Sequence, residues 1–383
     1  MDFPGKRVIY LDNNATTRPA PEVIGAMQEY SLDHWGNPSS AHSFGLSAKA
    51  GIDRARREVA DLVGVDPGMV TFTCSATEAN NTAILSAIRA APDKPRIVAG
   101  ATEHSAVIAM ARAQAASGYE LVLVPPRISG AIDTDALEKA IDRNTAVVSV
   151  MMANNETGVL NPLANIAAIC RKRNVRWHCD AVQAAGKVPV DFYAIGADYL
   201  TLSAHKMHGP KGAGALIAAQ DAPFTPMLFG GHQENGRRGG TENVAAIVGF
   251  GVAAVLALRE MESRKAVTAA LRDRLERGIL AAIPSASVNG SGSRLPNTTN
   301  IGLPGVDSDT LVSLLDQHGI CVSSGSACLS DAVAPSHVLL AMTGSYQKAS
   351  EAIRFSVSHL NTIDEIDRTI DVVKNAVLAA TAT

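Results

Sequence analysis

From about residue 55 to 220 the chain alternates short apolar runs with longer stretches rich in Ala and Leu. Met69-Val70-Thr71-Phe72-Thr73, Arg96-Ile97-Val98-Ala99, Glu120-Leu121-Val122-Leu123-Val124 and Ala146-Val147-Val148-Ser149-Val150 have the length and composition of strands buried on both faces. Val175-Arg176-Trp177-His178, Asp198-Tyr199-Leu200-Thr201-Leu202 and the shorter Gly214-Ala215-Leu216-Ile217 read the same way. Helical stretches lie between them, for example 79–91 and 136–141. The alternation predicts an α/β fold with a mainly parallel sheet flanked by helices. The apolar run 244–258, about 15 residues, falls short of the roughly 18 that suggest a membrane span and predicts a buried helix. A charged helix over 259–280 follows, and the pattern then loosens through Ile353-Arg354-Phe355-Ser356-Val357. That change predicts a smaller α+β domain from residue 259. Thr362-Ile363-Asp364-Glu365 has the spacing of a capping box and opens a last helix.

Composition narrows the function. A formal charge of −3 over 383 residues gives no basic face for nucleic acid, and 46% hydrophobic with 19% charged residues describes an ordinary globular chain. The opening Met1-Asp2-Phe3-Pro4-Gly5-Lys6-Arg7 lacks the apolar stretch of a signal peptide, which predicts a cytoplasmic protein without membrane attachment. Cys74, Cys170, Cys179, Cys321 and Cys328 form no C-x-x-C pair, which suggests free thiols in a reducing compartment and argues against structural zinc. His205 and His208 are spaced H-x-x-H, but no acidic partner lies nearby to make a metal site.

Ligands of open α/β sheets bind beyond the carboxyl ends of the strands, and five predicted strand ends carry polar groups there. Thr73 runs into Cys74-Ser75-Ala76-Thr77-Glu78, where Ser75 and Glu78 have capping-box spacing and Ala76 and Thr77 open a helix able to hold a phosphate. The other ends lead to Thr102-Glu103-His104, Asn154-Asn155-Glu156, Asp180-Ala181-Val182-Gln183 and Ser203-Ala204-His205-Lys206. Singly, each has a plain structural explanation: Asp180 as a cap, His104 as a loop histidine, Lys206 as a solvated charge. Together they point to a site. G-x-G-x-x-G after a strand, the P-loop pattern and G-x-S-x-G are all absent. The set suits pyridoxal phosphate, which needs a Schiff-base lysine (Lys206), a carboxylate on its ring nitrogen (Asp180) and a phosphate cradle. Far along the chain, Ser323-Ser324-Gly325-Ser326-Ala327-Cys328-Leu329-Ser330 places a thiol among small residues typical of a loop.

The segments LDNNATT, GNPSS, TEH, ANNETG, HCDAVQ, SAHKMHGPKG, GGHQENGRRGGTEN and SSGSAC occur in order from about residue 8 to 375. With them the chain resembles the cysteine desulfurase family of class V pyridoxal-phosphate enzymes, most of all its NifS branch, with IscS a near relative. The resemblance implies an aminotransferase-like fold of type I and a homodimer. It also places residues 1–15 with 259–383 in the small domain, leaving 16–258 as the large one. By the same resemblance Lys206 holds the cofactor, Asp180 meets its ring nitrogen, and His104 stacks on the ring and moves protons. Asn155 and Gln183 contact the phenolic oxygen, while Ala76, Thr77, Ser203 and His205 form the phosphate cradle, joined by Thr241 from the partner subunit. Arg354 grips the substrate carboxylate, a task suited to a planar bidentate donor, with Asn155 beside it.

The implied reaction converts L-cysteine to L-alanine and leaves a persulfide on Cys328, with Lys206 and His104 moving protons. Sulfur then passes to an iron–sulfur scaffold protein of the NifU or IscU kind, in general cluster assembly or for nitrogenase clusters in nitrogen fixation. No resident metal is implied, although Cys328 could also ligate a cluster. A selenocysteine lyase or another class V reaction remains the alternative. Two features depart from the family pattern: Leu329 and Ala332-Val333-Ala334 are less polar than usual, and the chain stops at Thr383, where relatives often continue.

Overall fold

The computed structural model describes residues 2–3, 6–325 and 335–381. Three two-residue strands, β1 (Asp2–Phe3), β2 (Lys6–Arg7) and β3 (Ile9–Tyr10), precede two helices, α1 (Pro21–Leu32) and α2 (Ser43–Val63). The main sheet contains β4 (Val70–Thr73), β5 (Arg96–Gly100), β6 (Glu120–Val124), β7 (Thr145–Ser149), β8 (Arg176–Asp180), β9 (Tyr199–Ser203) and β10 (Gly214–Ala218). Between these strands lie α3 (Ala76–Arg89), α4 (Ser105–Ala116), α5 (Thr134–Ala140), α6 (Leu163–Arg173) and α7 (Phe192–Ile195).

The strand order is β4-β10-β9-β8-β7-β5-β6. Six strands run one way, whereas β10 is antiparallel to both β4 and β9. The mainly parallel expectation therefore has one exception. Its cause is the short link from Ser203 to Gly214, since a parallel return needs a crossover of about a dozen residues or more. Successive strand residues feed opposite layers. Ile97, Val147 and Leu216 pack with α3 and α4, while Val98, Val148 and Ile217 pack with α2, α6 and the next helix.

That helix, α8 (Val244–Ala282), is continuous for 39 residues. The two helices expected over 244–258 and 259–280 are one, because no Gly or Pro interrupts 252–277. By length and composition its apolar part could cross a membrane, but 61% of that window is buried inside the protein. Phe250, Ala253, Ala254 and Ala257 join the sheet core, whereas Leu271, Leu275 and Ile279 enter a second core with Ile9, Leu11, Ile301 and Phe355.

The elements around that second core are β11 (Ser287–Val288), β12 (Thr298–Gly302), α9 (Ser308–Gln317), β13 (Ile320–Cys321), α10 (His337–Thr343), α11 (Tyr346–Ser350), β14 (Ala352–Ser356) and α12 (Ile363–Thr381). Strand β3 pairs in parallel with β13, so the chain's start is stitched to a segment some 310 residues later. The capping box at the head of α12 forms: Glu365 N donates to Thr362 Oγ1 at 3.3 Å, and Thr362 N donates to a Glu365 carboxylate oxygen at 3.1 Å.

Strand β4 is an edge, and its free backbone groups are occupied by a buried ion pair. Arg56 meets Glu234 in a two-pronged pair at 2.6 and 2.7 Å and donates to Val70 O at 2.8 Å, while Phe72 N donates to Glu234 at 2.8 Å. The pair covers the exposed edge and pins the loop over 230–243. Glu234 holds φ +50°, a left-handed conformation that side chains other than Gly rarely adopt, so these bonds also stabilise a strained turn. Replacing Glu234 with Ala leaves the Arg56 charge buried and unpaired. The expected loss of unfolding free energy in urea is about 3–5 kcal/mol. A loss below about 1 kcal/mol would show that the pair does not hold this edge.

Candidate functional site

The site begins where β4 passes into α3. Ser75 caps the helix, its Oγ accepting from Glu78 N at 3.2 Å. The reciprocal half of the expected box is absent: the Glu78 carboxylate accepts from Cys74 N at 2.8 Å and pairs with Arg238 at 3.0 Å. Arg238 and that backbone bond hold the carboxyl below its ordinary range against the opposing effect of burial. The amides of Ala76 and Thr77 open a 14-residue helix and have no intrahelical acceptor, which suits them to an anion. Gly214 permits this placement. A Cβ there would meet the Ser75 carbonyl carbon at 2.5 Å and Ala76 N at 2.8 Å, and both are backbone atoms that cannot swing away.

Strands β8 and β9 are neighbours, with Asp180 opposite Thr201. Asp180 is buried; one carboxylate oxygen accepts from Asn80 at 2.8 Å and the other from Val182 N at 3.0 Å. Strand β9 ends on buried Ser203, and His205 and Lys206 follow on a single helical turn. Lys206 Nζ donates to the backbone carbonyls of Asn14 at 2.6 Å and Ala15 at 2.7 Å. His205 is tied through Nδ1 to Thr16 Oγ1 at 3.1 Å. Burial, then the charges of Lys206, Lys211 and Lys187, push its pKa down to about 4, so the ring is neutral at pH 7.

The ends of β5 and β7 complete the rim. His104 caps α4, its Nδ1 accepting from Ala106 N at 3.1 Å, so the neutral ring carries its proton on Nε2. The residue is exposed. The surrounding protein still lowers its pKa by desolvation, opposed by Asp180 and reinforced by Lys206 and His337. Its neighbour Glu103 is fully buried; burial and then Asp180 hold the carboxyl well above its usual range, although Met151 N donates to it at 2.7 Å. Asn154 shapes the next turn by accepting from Glu156 N and Thr157 N, both at 2.9 Å.

Asn155 offers its carbonyl to Asn14 Nδ2 at 3.0 Å and to Arg354 Nη1 at 3.3 Å. Arg354, on β14, also pairs with Asp12 at 2.7 Å, while its buried Nε has no partner among the described residues. Gln183 Nε2 donates to Asn14 O at 2.9 Å, the carbonyl that Lys206 also uses. Lys206, Gln183 and Asn155 thus converge on Asn14, Arg354 joins them through the Asn155 carbonyl, and Asp180, His205 and the α3 start lie at nearby strand ends. Thr241 stands apart: it is exposed and makes none of these hydrogen bonds.

Cys328, Leu329 and Ala332-Val333-Ala334 lie outside the described residues. Both flanks of that segment reach the rim. Ser323 exchanges backbone bonds with Arg354 at 2.7 and 3.3 Å, and Ser336 Oγ donates to the buried Glu156 at 2.5 Å. His337 Nε2 meets Glu103 O at 3.0 Å.

These residues fit pyridoxal phosphate. The glycine-dependent approach of β10 to the α3 amides makes an anion cradle, Asp180 supplies a buried carboxylate, and Lys206 supplies the amine. The orphaned Nε of Arg354 is an open donor for a carboxylate. Sequence reasoning missed Asn14, Asn80, Lys187 and Asp12. Asn14 and Asp12 sit in a segment it singled out without giving either a role. Lys187 follows Gln183 at i+4, a spacing that could have revealed it.

The model of the class-V aminotransferase family matches residues 9–369. A cysteine desulfurase of Trichormus azollae is 45% identical over 371 residues, 97% of this chain and 93% of that protein. Cysteine desulfurase NifS of Azotobacter vinelandii is 44% identical, over 94% of this chain and 90% of its own. Among solved structures, a NifS-like protein superposes with a TM-score of 0.90 at 34% identity, covering 96% of this chain and 99% of that one.

His178 lies beneath the site, with Nδ1 against Ser149 Oγ at 2.8 Å and Nε2 against Thr201 Oγ1 at 3.0 Å. Burial lowers its pKa from an ordinary 6.5 to about 4, only partly offset by Asp180. Between those values the unfolded chain binds a proton that the folded chain refuses, so stability falls as pH drops through that window. His178→Gln should lose less stability than the wild type between pH 6.5 and 4, by up to about 3 kcal/mol. Comparing the two proteins isolates this ring from Glu103 and Glu156, whose raised values act in the opposite sense. Parallel urea-midpoint profiles for both proteins would refute the assignment.

Proposed function

The chain belongs to the class-V aminotransferase family and is a pyridoxal-phosphate-dependent cysteine desulfurase, and on that footing we propose how its residues divide the work. The reading rests above all on Arg354, a buried guanidinium with an unpartnered Nε, joined through Asn155 and Asn14 to Lys206. Arg354 takes the carboxylate of L-cysteine and fixes which end of the substrate faces Lys206. Bound through Lys206, with Asp180 at its ring nitrogen, pyridoxal phosphate supplies an electron sink that labilises the substrate. Ala76, Thr77, Ser203 and His205 hold its phosphate, and Asn155 and Gln183 its phenolic oxygen. His104 stacks on its ring.

Lys206 moves the proton at the substrate's α-carbon. His104, with its proton on Nε2, presents an acid to the site at rest. The Cys328 thiolate attacks the substrate sulfur; a sulfur–sulfur bond forms and the carbon–sulfur bond breaks. The electron pair stays with carbon, which is protonated, so L-cysteine and one thiol become L-alanine and one persulfide. The sulfur is then handed to an acceptor protein, which we read as a cluster scaffold serving iron–sulfur assembly, with nitrogenase clusters one destination.

A homodimer suits the exposed surface. Thr241 shares its loop region with Leu228, 40% exposed, and Phe229, 80% exposed, apolar positions that a second copy would cover. In that dimer Thr241 reaches the partner's phosphate cradle. A reducing compartment such as the cytoplasm accords with four described cysteines that are all unpaired.

The test is an assay of alanine and sulfide from L-cysteine, with a thiol reductant present and L-selenocysteine as competitor. Wild type should be coloured and release the two products in equal amounts. Lys206→Ala should lose the visible colour. Cys328→Ser should keep the colour yet lower sulfide release by more than about a hundredfold, the scale of losing an essential nucleophile. Sulfide from Cys328→Ser at the wild-type rate would exclude that thiol as acceptor. A preference of several hundredfold for selenocysteine would favour the lyase reading.

A further inference from the structure

Lys187 is a second lysine at the site, for which the reaction has no evident use. Residues 181–188 form consecutive helical turns, with Ala185 N and Val188 N bonded back to Ala181 O and Ala184 O. Gln183 and Lys187 therefore share a face. Lys187 Nζ donates to Gln183 Oε1 at 2.8 Å and to Asn14 Oδ1 at 3.3 Å. Among the described residues no carboxylate lies within ion-pair distance of it. Burial, and then the charges of Lys206 and Arg354, hold the amine well below the usual lysine range. Both atoms that meet Nζ, Gln183 Oε1 and Asn14 Oδ1, are acceptors.

The two ends of a carboxamide have nearly the same shape, so its neighbours decide which end is the donor. Asn14 is fixed from several sides: Oδ1 also accepts from Asn297 at 3.0 Å, and Nδ2 donates to Asn155 O and Thr298 Oγ1 at 3.0 and 2.9 Å. Gln183 is fixed from two only. Its Oε1 faces Lys187 and its Nε2 faces Asn14 O. A flipped amide would lose the bond from Lys187 Nζ to Oε1 and set acceptor against acceptor at Asn14 O. Without Lys187, the buried Oε1 loses its acceptor role and only the bond to Asn14 O, which Lys206 also occupies, holds the amide.

We propose that Lys187 is a positioning residue for the cofactor site, fixing the Gln183 carboxamide so that its NH2 end, and not its oxygen, faces the site. The inference rests on the reading of Gln183 as a contact of the cofactor's phenolic oxygen, which calls for a donor. Lys187 itself touches neither cofactor nor substrate. It fills an otherwise unpaired buried acceptor.

The test titrates full-length apoprotein with pyridoxal phosphate and records both the dissociation constant and the visible absorption band. Lys187→Met should weaken cofactor binding about fivefold, the scale of one hydrogen bond, and shift the band. Gln183→Leu should do the same, and the double variant should be no worse than Gln183→Leu alone. Lys187→Arg, whose guanidinium only donates, should bring the band back toward wild type. If Gln183→Leu changes constant and band while Lys187→Met changes neither, the proposal fails and the reading of Gln183 stands. If Gln183→Leu changes neither, that reading fails and takes the proposal with it. Additive losses in the double variant would show Lys187 acting through packing alone, which also overturns the proposal. Should Lys187→Met not fold, Lys187→Gln carries the same comparison, because its amide can accept as well as donate and so no longer dictates the orientation.

Discussion

Asn14 is the residue on which the two cores and the site are joined. Its backbone N–H donates to Ser356 Oγ, and its side chain ties Asn155 to Thr298 and Asn297. Its carbonyl receives both Lys206 and Gln183. Every polar atom of this almost fully buried residue is occupied, and the partners come from both halves of the molecule. An unsatisfied polar group here would cost about 1–3 kcal/mol, so the network admits one arrangement of the N-terminal segment against the sheet ends. The pairing of β3 with β13 carries that segment to its place.

Around this hub the site limits its own charge. His178, His205 and His208 are each pushed down to about 4 by burial, and Lys187 is lowered too, whereas Glu103 and Glu156 are raised. The three histidines are therefore neutral at pH 7, and burial shifts Lys187, Glu103 and Glu156 each toward its uncharged form. In a poorly solvated site the charges that remain act at greater strength. Glu156 has a second task, because it holds Ser336 and thereby one flank of the segment that contains Cys328.

The fold was legible where local pattern and burial coincide. Strands such as 96–100 and 145–149 have apolar centres and are buried at nearly every position because both faces are covered, and helices between them imply the parallel arrangement. The reversed β10 was not legible, since direction depends on the length of a connection and not on strand composition. The expected break near residue 258 is absent because a change from apolar to charged residues alters what a helix packs against and not whether it continues. The Ser75–Glu78 spacing indicated a cap correctly, but only tertiary structure shows Arg238 drawing the carboxylate outward.

By itself the sequence determined the kinds of chemistry present: an amine, a carboxylate and a helix start able to hold an anion, each after an apolar strand, a guanidinium within a late strand, and a thiol among small residues. These follow from residue type and short-range spacing, which the chain carries in one dimension. Tertiary structure alone decided that Asn14 would be the shared acceptor and that Lys187 would back Gln183. It also decided that Arg354, some 340 residues from Asp12, would pair with it and still leave Nε open. Such contacts between distant segments depend on how strands are ordered and domains docked. No local propensity encodes them, because the partners become neighbours only after the cores have closed.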